Sequence, residues 1–256
     1  MAAGACRSMI DTIIFDGEGV VVDTERIWDV GQQEFLKRRG FVYDRERIKP
    51  LLTGRSLVEG VVVLKREYGF EGDPEVLARE RMEIVRELFE SQVTFIDGFL
   101  KFFERIRLRY KTCIATAIDA ALLQIVERRL GLSQLFANRI FTLADVDFRS
   151  KPDPALFLHA ANALGSLPAA CLVIEDSPLG VEAAKHGGMM CIGLATTYEP
   201  EALREADQVV ASYSEIDLAD HRWQRRGDDG RGTSRQTDGE LESMQTTAPP
   251  PRRSSP

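Results

Sequence analysis

The sequence predicts an α/β fold: a parallel sheet covered by helices on both faces, with a helical subdomain inserted after the first strand. Short apolar segments alternate with helical patterns along much of the chain, which favours a parallel sheet. Residues 23–95 show helical patterns alone, and this stretch is far longer than an ordinary strand-to-helix connection. The 256 residues are 44% hydrophobic, so the chain can bury a substantial core.

Six short apolar segments are predicted to form the strands of the sheet. They are residues 9–15, 112–116, 139–143, 171–174, 190–194 and 208–210. The first segment stops at Asp16, within the stretch IIFDGEGVVVDTE, where a second acidic residue, Glu18, stands between two glycines. A buried strand that ends on closely spaced acidic side chains points to a functional loop rather than to packing.

Helix boundaries in the sheet-forming part can be read from their capping residues. Asp119 is predicted to cap a helix that closes at Gly131. The pair Asp153-Pro154 predicts an N-cap and a first turn, and Ser177-Pro178 predicts another helix start.

The inserted stretch is predicted to hold helices at residues 26–39, 56–68 and 74–90. Ser56 and Glu59 fit a capping box, and Asp73-Pro74 fits an N-cap followed by proline. Trp28, in the first of these helices, is expected to belong to the core of the insertion. We therefore predict a core formed by residues 1–22 and 96–220, and a helical subdomain formed by residues 23–95.

Charge and composition limit the partners of the chain. The net charge is −7, which argues against a general nucleic-acid or membrane-surface binder. No segment approaches the length of apolar residues that a membrane-spanning helix needs, so a cytoplasmic location is predicted. Residues 221–256 are rich in Arg, Gly, Ser, Thr and Pro and are predicted to be disordered. The four widely spaced cysteines form no metal-binding pair and are predicted to be reduced.

Polar residues from distant parts of the chain are predicted to converge at one edge of the sheet. The carboxyl ends of parallel strands collect ligands, and five residues fall at or near such ends: Asp16, Thr116, Lys151, Glu175 and Asp176. Each residue alone could be a turn or a helix cap. Their joint occurrence predicts a functional site.

The residue types at this edge indicate phosphoryl transfer assisted by magnesium. Clustered carboxylates repel each other unless a cation is present, and a set of oxygen donors without His or Cys suits Mg²⁺. Asp16 could then attack a phosphoryl group whose oxygens are held by Lys151, the Thr116 hydroxyl and the Ala117 amide. Glu18 would protonate the leaving oxygen and later activate water.

Four motifs make the chain resemble the haloacid dehalogenase superfamily, and within it the β-phosphoglucomutase-like phosphatases with a helical cap. They are FDGEGVVVDTE, IATA, SKPDP and VIEDSPLGVEAAKHGGM. The resemblance covers about residues 9–215 and implies a Rossmann-like core with an inserted cap.

The resemblance also implies a role for each site residue. Asp16 would be the nucleophile, and Thr116 with Lys151 would hold the phosphate. Magnesium would be bound by Asp16, Asp176 and the backbone carbonyl of Glu18, with help from Glu175. Residues 52–56 resemble a substrate-facing loop, which makes Arg55 a candidate substrate contact.

Two residues depart from the pattern of the family. Glu18 stands where the family has Asp, and a displacement of about 1 Å at a reacting centre can change the rate on the order of a hundredfold. Gly17 stands where the family usually has a larger residue. It could loosen the loop of the nucleophile, or it could give the longer Glu18 side chain room to adjust.

Three functions follow from this pattern. The first is a magnesium-dependent phosphatase acting on a small phosphorylated metabolite such as a sugar phosphate. The second is a phosphosugar mutase, which is disfavoured because residues 25–36 contain no histidine. The third is a catalytically impaired protein that binds or senses a phosphorylated metabolite, suggested by Glu18. The sequence leaves the substrate and the oligomeric state open.

Overall fold

A single parallel sheet forms the centre of the protein in a computed structural model that describes residues 10–52 and 55–219. Its strands are β1 (Thr12–Asp16), β2 (Lys111–Thr116), β3 (Ile140–Thr142), β4 (Cys171–Glu175), β5 (Met190–Leu194) and β6 (Gln208–Val210). They lie in the order β3-β2-β1-β4-β5-β6, and every neighbouring pair is parallel. The predicted strands and their parallel arrangement are confirmed.

The strand order reverses beside β1, which pairs with β2 on one side and with β4 on the other. In α/β sheets, ligands bind at the carboxyl ends of the strands that flank such a reversal. The acidic ends of β1 and β4 therefore lie where this topology opens a crevice.

Four helices occupy the insertion between β1 and β2: α1 (Glu25–Lys37), α2 (Arg45–Leu52), α3 (Leu57–Tyr68) and α4 (Pro74–Gln92). The capping box of Ser56 and Glu59 is confirmed, and the Asp73 carboxylate accepts the first amides of α4. We did not predict α2, because half of its eight residues are charged, it includes Pro50, and it buries Ile48 alone.

The insertion has an apolar cluster of its own, in which Phe35, Leu36, Ile48, Val61 and Leu64 are fully buried. Its two connections to the sheet run side by side. The amide of Asp23 donates to the Thr94 carbonyl at 3.0 Å, and the amide of Ile96 donates to the Val21 carbonyl at 3.0 Å.

The remaining helices are α5 (Phe99–Ile106), α6 (Ala120–Leu130), α7 (Leu132–Leu135), α8 (Ala155–Ala163) and α9 (Pro178–His186). Helices cover both faces of the sheet, as the alternation along β1 illustrates. Ile13 and Phe15 belong to one apolar cluster with α5 and α6, while Ile14 belongs to another with α8 and α9. The predicted fold class is therefore confirmed.

The predicted helix caps fit the structure with one shift. The Asp119 carboxylate accepts the amides of Ala121 and Leu122, and Ser177 accepts the amide of Gly180 at 3.1 Å. The helix predicted to be capped by Asp153 instead has Pro154 at its N-cap. Asp153 still accepts the Ala155 amide at 2.8 Å, so only the boundary was wrong.

Three of the four cysteines, Cys113, Cys171 and Cys191, are buried and free, as predicted. Cys6 and the tail at residues 221–256 lie outside the described residues. Within the described ranges, no helix combines the length and the apolar character that crossing a bilayer requires.

Candidate active site

The carboxyl ends of β1 and β4 bring three acidic side chains together. Ligand oxygens of Asp16, Glu175 and Asp176 all lie within 4.8 Å of one another, and the three residues are buried. Thr116 ends the neighbouring strand β2 and is also buried. The predicted convergence of the acidic strand ends is therefore observed.

Lys151 reaches this acidic cluster from the turn that precedes α8. Its ammonium group contacts the carboxylates of both Asp16 and Glu175. The second oxygen of Glu175 accepts hydrogen bonds from the Ser177 amide at 2.7 Å and from its hydroxyl at 2.9 Å. Glu175 is therefore fixed by the start of α9 as well as by the lysine.

Two glycines allow the loop after β1 to approach its neighbours closely. A Cβ on Gly17 would lie 2.3 Å from the Thr116 hydroxyl oxygen, so a larger residue there would displace Thr116. Gly19 has a φ of 70°, and its Cβ would lie 2.0 Å from an Asp176 oxygen. The close approach to Thr116 by itself explains why glycine stands at position 17. Neither a looser loop nor extra room for Glu18 is needed as an explanation.

Burial and mutual repulsion disfavour the charged forms of the clustered acids. Burial, reinforced by Glu175 and opposed by Lys151, raises the pKa of Asp16 from 3.8 to about 7. Burial, together with the neighbouring Glu175 and Asp16, raises the pKa of Asp176 well above its usual value. Although burial opposes a charged ammonium group, Asp16 and Glu175 together raise the pKa of Lys151. The cluster therefore holds one positive side chain, Lys151, against three acids. The buried carboxylate oxygens of these acids fit a divalent cation such as Mg²⁺.

Glu18 points away from the sheet towards the insertion. Burial raises the pKa of its carboxyl group, and the neighbouring side chains of Thr24 and Trp28 partly oppose this rise. We had expected Trp28 to be a core residue of the insertion. The ring is only partly buried, and with Glu18 it lines a cavity, so that expectation was incomplete.

A cavity of about 460 Å³ separates the acidic cluster from the insertion. Glu18 and Asp176 line it from the sheet side, and Arg55 lines it from the insertion side. Arg55 is exposed, and its Nε atom donates to the Leu51 carbonyl at 2.8 Å. Asp16, Thr116 and Lys151 do not line this cavity, but Asp16 lies beside Asp176, which does. Ala117 follows Thr116 and is exposed.

Several polar residues that line the cavity were not predicted from the sequence, and Gln32 and Arg81 are two of them. Gln32 in α1 and Arg81 in α4 both line it, and both side chains are buried. The sequence did carry a signal for Arg81, because it lies on the buried face of α4 with Leu77, Ala78 and Ile84. A charged residue on an apolar helix face is uncommon unless it has a specific role.

The family of the chain follows from a match to the model of the haloacid dehalogenase-like hydrolases over residues 10–188. The chain belongs to this family. The match includes both strand ends that supply the acidic cluster and the whole helical insertion. It confirms the predicted family. One similar structure, from Thermotoga maritima, is assigned as a β-phosphoglucomutase; its TM-score is 0.67 at 26% identity, covering 78% of this chain and 94% of that one.

Two curated relatives of this hydrolase are phosphatases by name. The chain is 28% identical to validoxylamine A 7′-phosphate phosphatase of Streptomyces hygroscopicus subsp. limoneus, over 81% of this chain and 96% of the relative. It is 25% identical to 6-phosphogluconate phosphatase of Escherichia coli K12, over 86% of this chain and 97% of the relative.

A solved structure of similar fold is a haloacid dehalogenase family hydrolase from Deinococcus radiodurans R1, with bound phosphate and sodium. The TM-score is 0.73 at 28% identity, covering 84% of this chain and 97% of that one. Together with the family match, these relatives confirm the predicted enzyme class, a haloacid dehalogenase-like phosphoric monoester hydrolase.

Proposed function

We propose that the protein is a magnesium-dependent phosphatase that hydrolyses a small phosphorylated metabolite through an aspartyl phosphate on Asp16. The observation that carries this proposal is the buried group of Asp16, Glu175 and Asp176, whose ligand oxygens lie within 4.8 Å of one another. Such a group is costly to keep ionised without a cation. The order of these acids in the chain is that of the motifs that resemble the family.

Magnesium would be held by Asp16, Asp176 and the backbone carbonyl of Glu18, with Glu175 nearby. The bound ion would neutralise the carboxylates and polarise the oxygens of the phosphoryl group. Gly19 supports this assignment, because its missing side chain lets the loop backbone approach the Asp176 carboxylate.

Catalysis would proceed in two displacements at phosphorus. A carboxylate oxygen of Asp16 attacks the phosphorus atom, the bond to the leaving oxygen breaks, and protonated Glu18 donates its proton to that oxygen. Glu18, now a carboxylate, then takes a proton from a water molecule, which attacks the same phosphorus atom. Inorganic phosphate leaves, and both side chains return to their starting forms.

The phosphoryl group would be held by groups around Asp16. Lys151 contacts Asp16 and so lies within reach of a phosphoryl group attached to it. The Thr116 hydroxyl and the Ala117 amide, at the end of the adjacent strand, would bind the remaining oxygens. The raised pKa of Glu18 favours the protonated form that the first displacement needs.

Residues 23–95 would act as a cap over a catalytic core of residues 1–22 and 96–220. The paired connections at Val21–Asp23 and Thr94–Ile96 are a natural position for a hinge, since both chain crossings lie side by side. The cavity between the cap and the acidic cluster, with Arg55 on the cap side, would receive the organic part of the substrate.

The two phosphatases similar to this chain act, by their names, on phosphorylated sugar-like molecules, which supports a sugar phosphate or a similar metabolite as substrate. Glu18 lines the cavity between the acidic cluster and the insertion, as a general acid and base should. This orientation favours the phosphatase over the catalytically impaired binding protein that the Asp-to-Glu change suggested.

The test is magnesium-dependent phosphate release from a panel of phosphorylated metabolites and from p-nitrophenyl phosphate. We expect turnover by the wild type that EDTA removes and that Asp16→Asn abolishes. Metabolite binding without turnover in the wild type, together with turnover in Glu18→Asp, would instead identify the impaired binding protein. Retained turnover in Asp16→Asn would overturn the proposed mechanism.

A further inference from the structure

Arg81 is a buried cation without an acidic partner among the described residues. The side chain is 8% exposed, and its Nε atom has no hydrogen-bond partner within the described ranges. No ion pair joins it to an acid of the described chain. It does contact Trp28, whose ring centre lies 5.8 Å from the guanidinium carbon. A buried arginine normally has an acidic partner, because an unpaired buried charge is destabilising.

Gln32, which lines the same cavity, also lacks side-chain hydrogen-bond partners in the part of the chain that the structure describes. Its side chain is 1% exposed, and neither its amide nitrogen nor its amide oxygen has a partner in the described chain. Gln32 comes from α1 and Arg81 from α4, and both line the 460 Å³ cavity. Two helices thus present unpaired polar groups to one cavity.

The acids that line the cavity on the insertion side are already bound to other groups. Asp29 pairs with Arg45 at 2.6 Å and accepts the Tyr43 hydroxyl at 3.2 Å. Glu25 pairs with Lys49. These contacts leave the positive charge of Arg81 uncompensated. Burial lowers its pKa to about 10, so the guanidinium group stays charged at neutral pH.

The insertion also leaves space for this guanidinium group. A Cβ on Gly60, inside α3, would lie 3.0 Å from Nη1 of Arg81. Glycine within a helix costs about 1 kcal/mol relative to alanine. Its presence here therefore allows the Arg81 side chain to lie against α3.

We propose that Arg81 and Gln32 form a subsite for a second anionic group, a carboxylate or a second phosphate, at the far end of the phosphorylated substrate. Arginine binds such anions through two parallel hydrogen bonds. Gln32 can both donate and accept, which suits a hydroxyl group beside the anion. Trp28 lies near both Glu18 and the guanidinium group of Arg81, so the subsite adjoins the part of the cavity where Glu18 lies.

This inference rests on the proposed phosphatase function, and its test uses three matched substrates. Sorbitol 6-phosphate, 6-phosphogluconate and sorbitol 1,6-bisphosphate share a six-carbon chain and differ at the terminal group, which is a hydroxyl, a carboxylate or a phosphate. We expect wild-type kcat/KM to be about 10- to 100-fold higher for at least one anionic substrate than for sorbitol 6-phosphate. The preferred terminal group then identifies the anion.

Arg81→Met should remove this preference, because it should lower kcat/KM for the preferred anionic substrate about 10- to 100-fold more than for sorbitol 6-phosphate. Arg79→Met is the matched control, since Arg79 lies in the same helix and is exposed. Arg81→Lys, which keeps the charge without the planar fork, should retain part of the preference. Equal wild-type rates on all three substrates, or an equal loss on all three in Arg81→Met, would overturn the subsite.

A binding measurement separates the subsite from the proposed chemistry. In Asp16→Asn with Mg²⁺, calorimetry should give a lower Kd for the preferred anionic substrate than for sorbitol 6-phosphate, and adding Arg81→Met should remove that difference. If this difference appears while the wild type hydrolyses nothing, the phosphatase proposal fails and the subsite stands. If the wild type hydrolyses substrates but no difference appears in either assay, the subsite fails alone.

Discussion

Lys151 and Arg81 are both largely buried cations on the two sides of the active-site cavity, but their surroundings differ. Lys151 contacts two carboxylates, Asp16 and Glu175, within a cluster that the chain itself supplies. Arg81 has no acidic partner in the described part of the chain. The sheet side therefore holds its charges in place before substrate arrives, whereas the insertion side leaves a charge for the substrate to satisfy.

This difference separates the groups that carry out the reaction from the groups that select the substrate. Groups that perform a fixed chemical step are best positioned in advance by interactions within the protein. Groups that recognise a substrate discriminate against a competitor when the competitor lacks the matching group and would leave them unpaired. The following variants test this division, beginning with the largest expected effect.

Removing the nucleophile should have the largest effect. We expect Asp16→Asn to lower phosphate release by at least about 10⁴-fold, since an amide oxygen is a far weaker nucleophile than a carboxylate. Asp97→Asn, a change at an exposed acid, should leave the rate within about twofold. Steady-state assays with Mg²⁺ check this, and a loss below about tenfold would place the nucleophile elsewhere.

The two buried cations should respond to the same substitution with opposite changes in stability. Lys151→Met leaves Asp16 and Glu175 without their cation and should lower the free energy of unfolding at pH 8 in EDTA by about 3–5 kcal/mol. Arg81→Met removes an unpaired charge and should raise it by about 1 kcal/mol or more. Urea denaturation measures both.

Lys101→Met serves as the control for these two variants, because Lys101 is exposed on α5. Surface changes of this kind usually shift the free energy of unfolding by no more than about 0.5 kcal/mol. Destabilisation by Arg81→Met would give Arg81 a structural role and remove the contrast between the two sides of the cavity.

The length of Glu18 should matter less than the identity of Asp16. Thr24 and Trp28 lie beside the glutamate carboxylate, and a shorter side chain would draw the carboxylate away from them. We therefore expect Glu18→Asp to lower kcat by about 10- to 100-fold, although Asp is the residue of the family at this position. Trp28→Phe, which removes one hydrogen-bond donor, should cost about tenfold or less. A rise in kcat in Glu18→Asp would contradict this role of the two contacts.

The smallest effect should be the dependence of stability on pH in the absence of metal. Between pH 3.8 and about 7, folded Asp16 holds a proton that the unfolded chain has released. The free energy of unfolding should therefore fall as the pH rises through this window. Magnesium would bind the ionised acids, so we expect it to reduce this slope and to raise Tm most at the alkaline end. Thermal unfolding with EDTA and with Mg²⁺ tests both expectations, and an unchanged Tm would argue against the metal site.

The site residues on the sheet side were predictable because their neighbours in the sequence mark their positions. Each acid directly follows an apolar strand, and the parallel order of strands brings the strand ends to one edge. Helix caps such as Asp119 were predictable for the same reason, since the cap and its helix are adjacent in sequence.

The insertion side was less predictable because its contacts join distant helices. The unpaired state of Gln32 and Arg81 depends on which helices pack together, and no short motif records that. The contact between Trp28 and Glu18 likewise arises from the path of the chain after β1, since an aromatic residue in an amphipathic helix is usually core. The apolar face of α4 was the one signal that could have drawn attention to Arg81.

Trapping of the phosphorylated nucleophile tests the central proposal most directly. The wild type is mixed with Mg²⁺ and a substrate it hydrolyses, quenched in acid and treated with borohydride, which reduces an aspartyl phosphate to homoserine. Peptide mass spectrometry should then find homoserine at position 16, and none without Mg²⁺ or in Asp16→Asn. Phosphate release with an unmodified Asp16, or with the modification at another residue, would contradict covalent catalysis by Asp16.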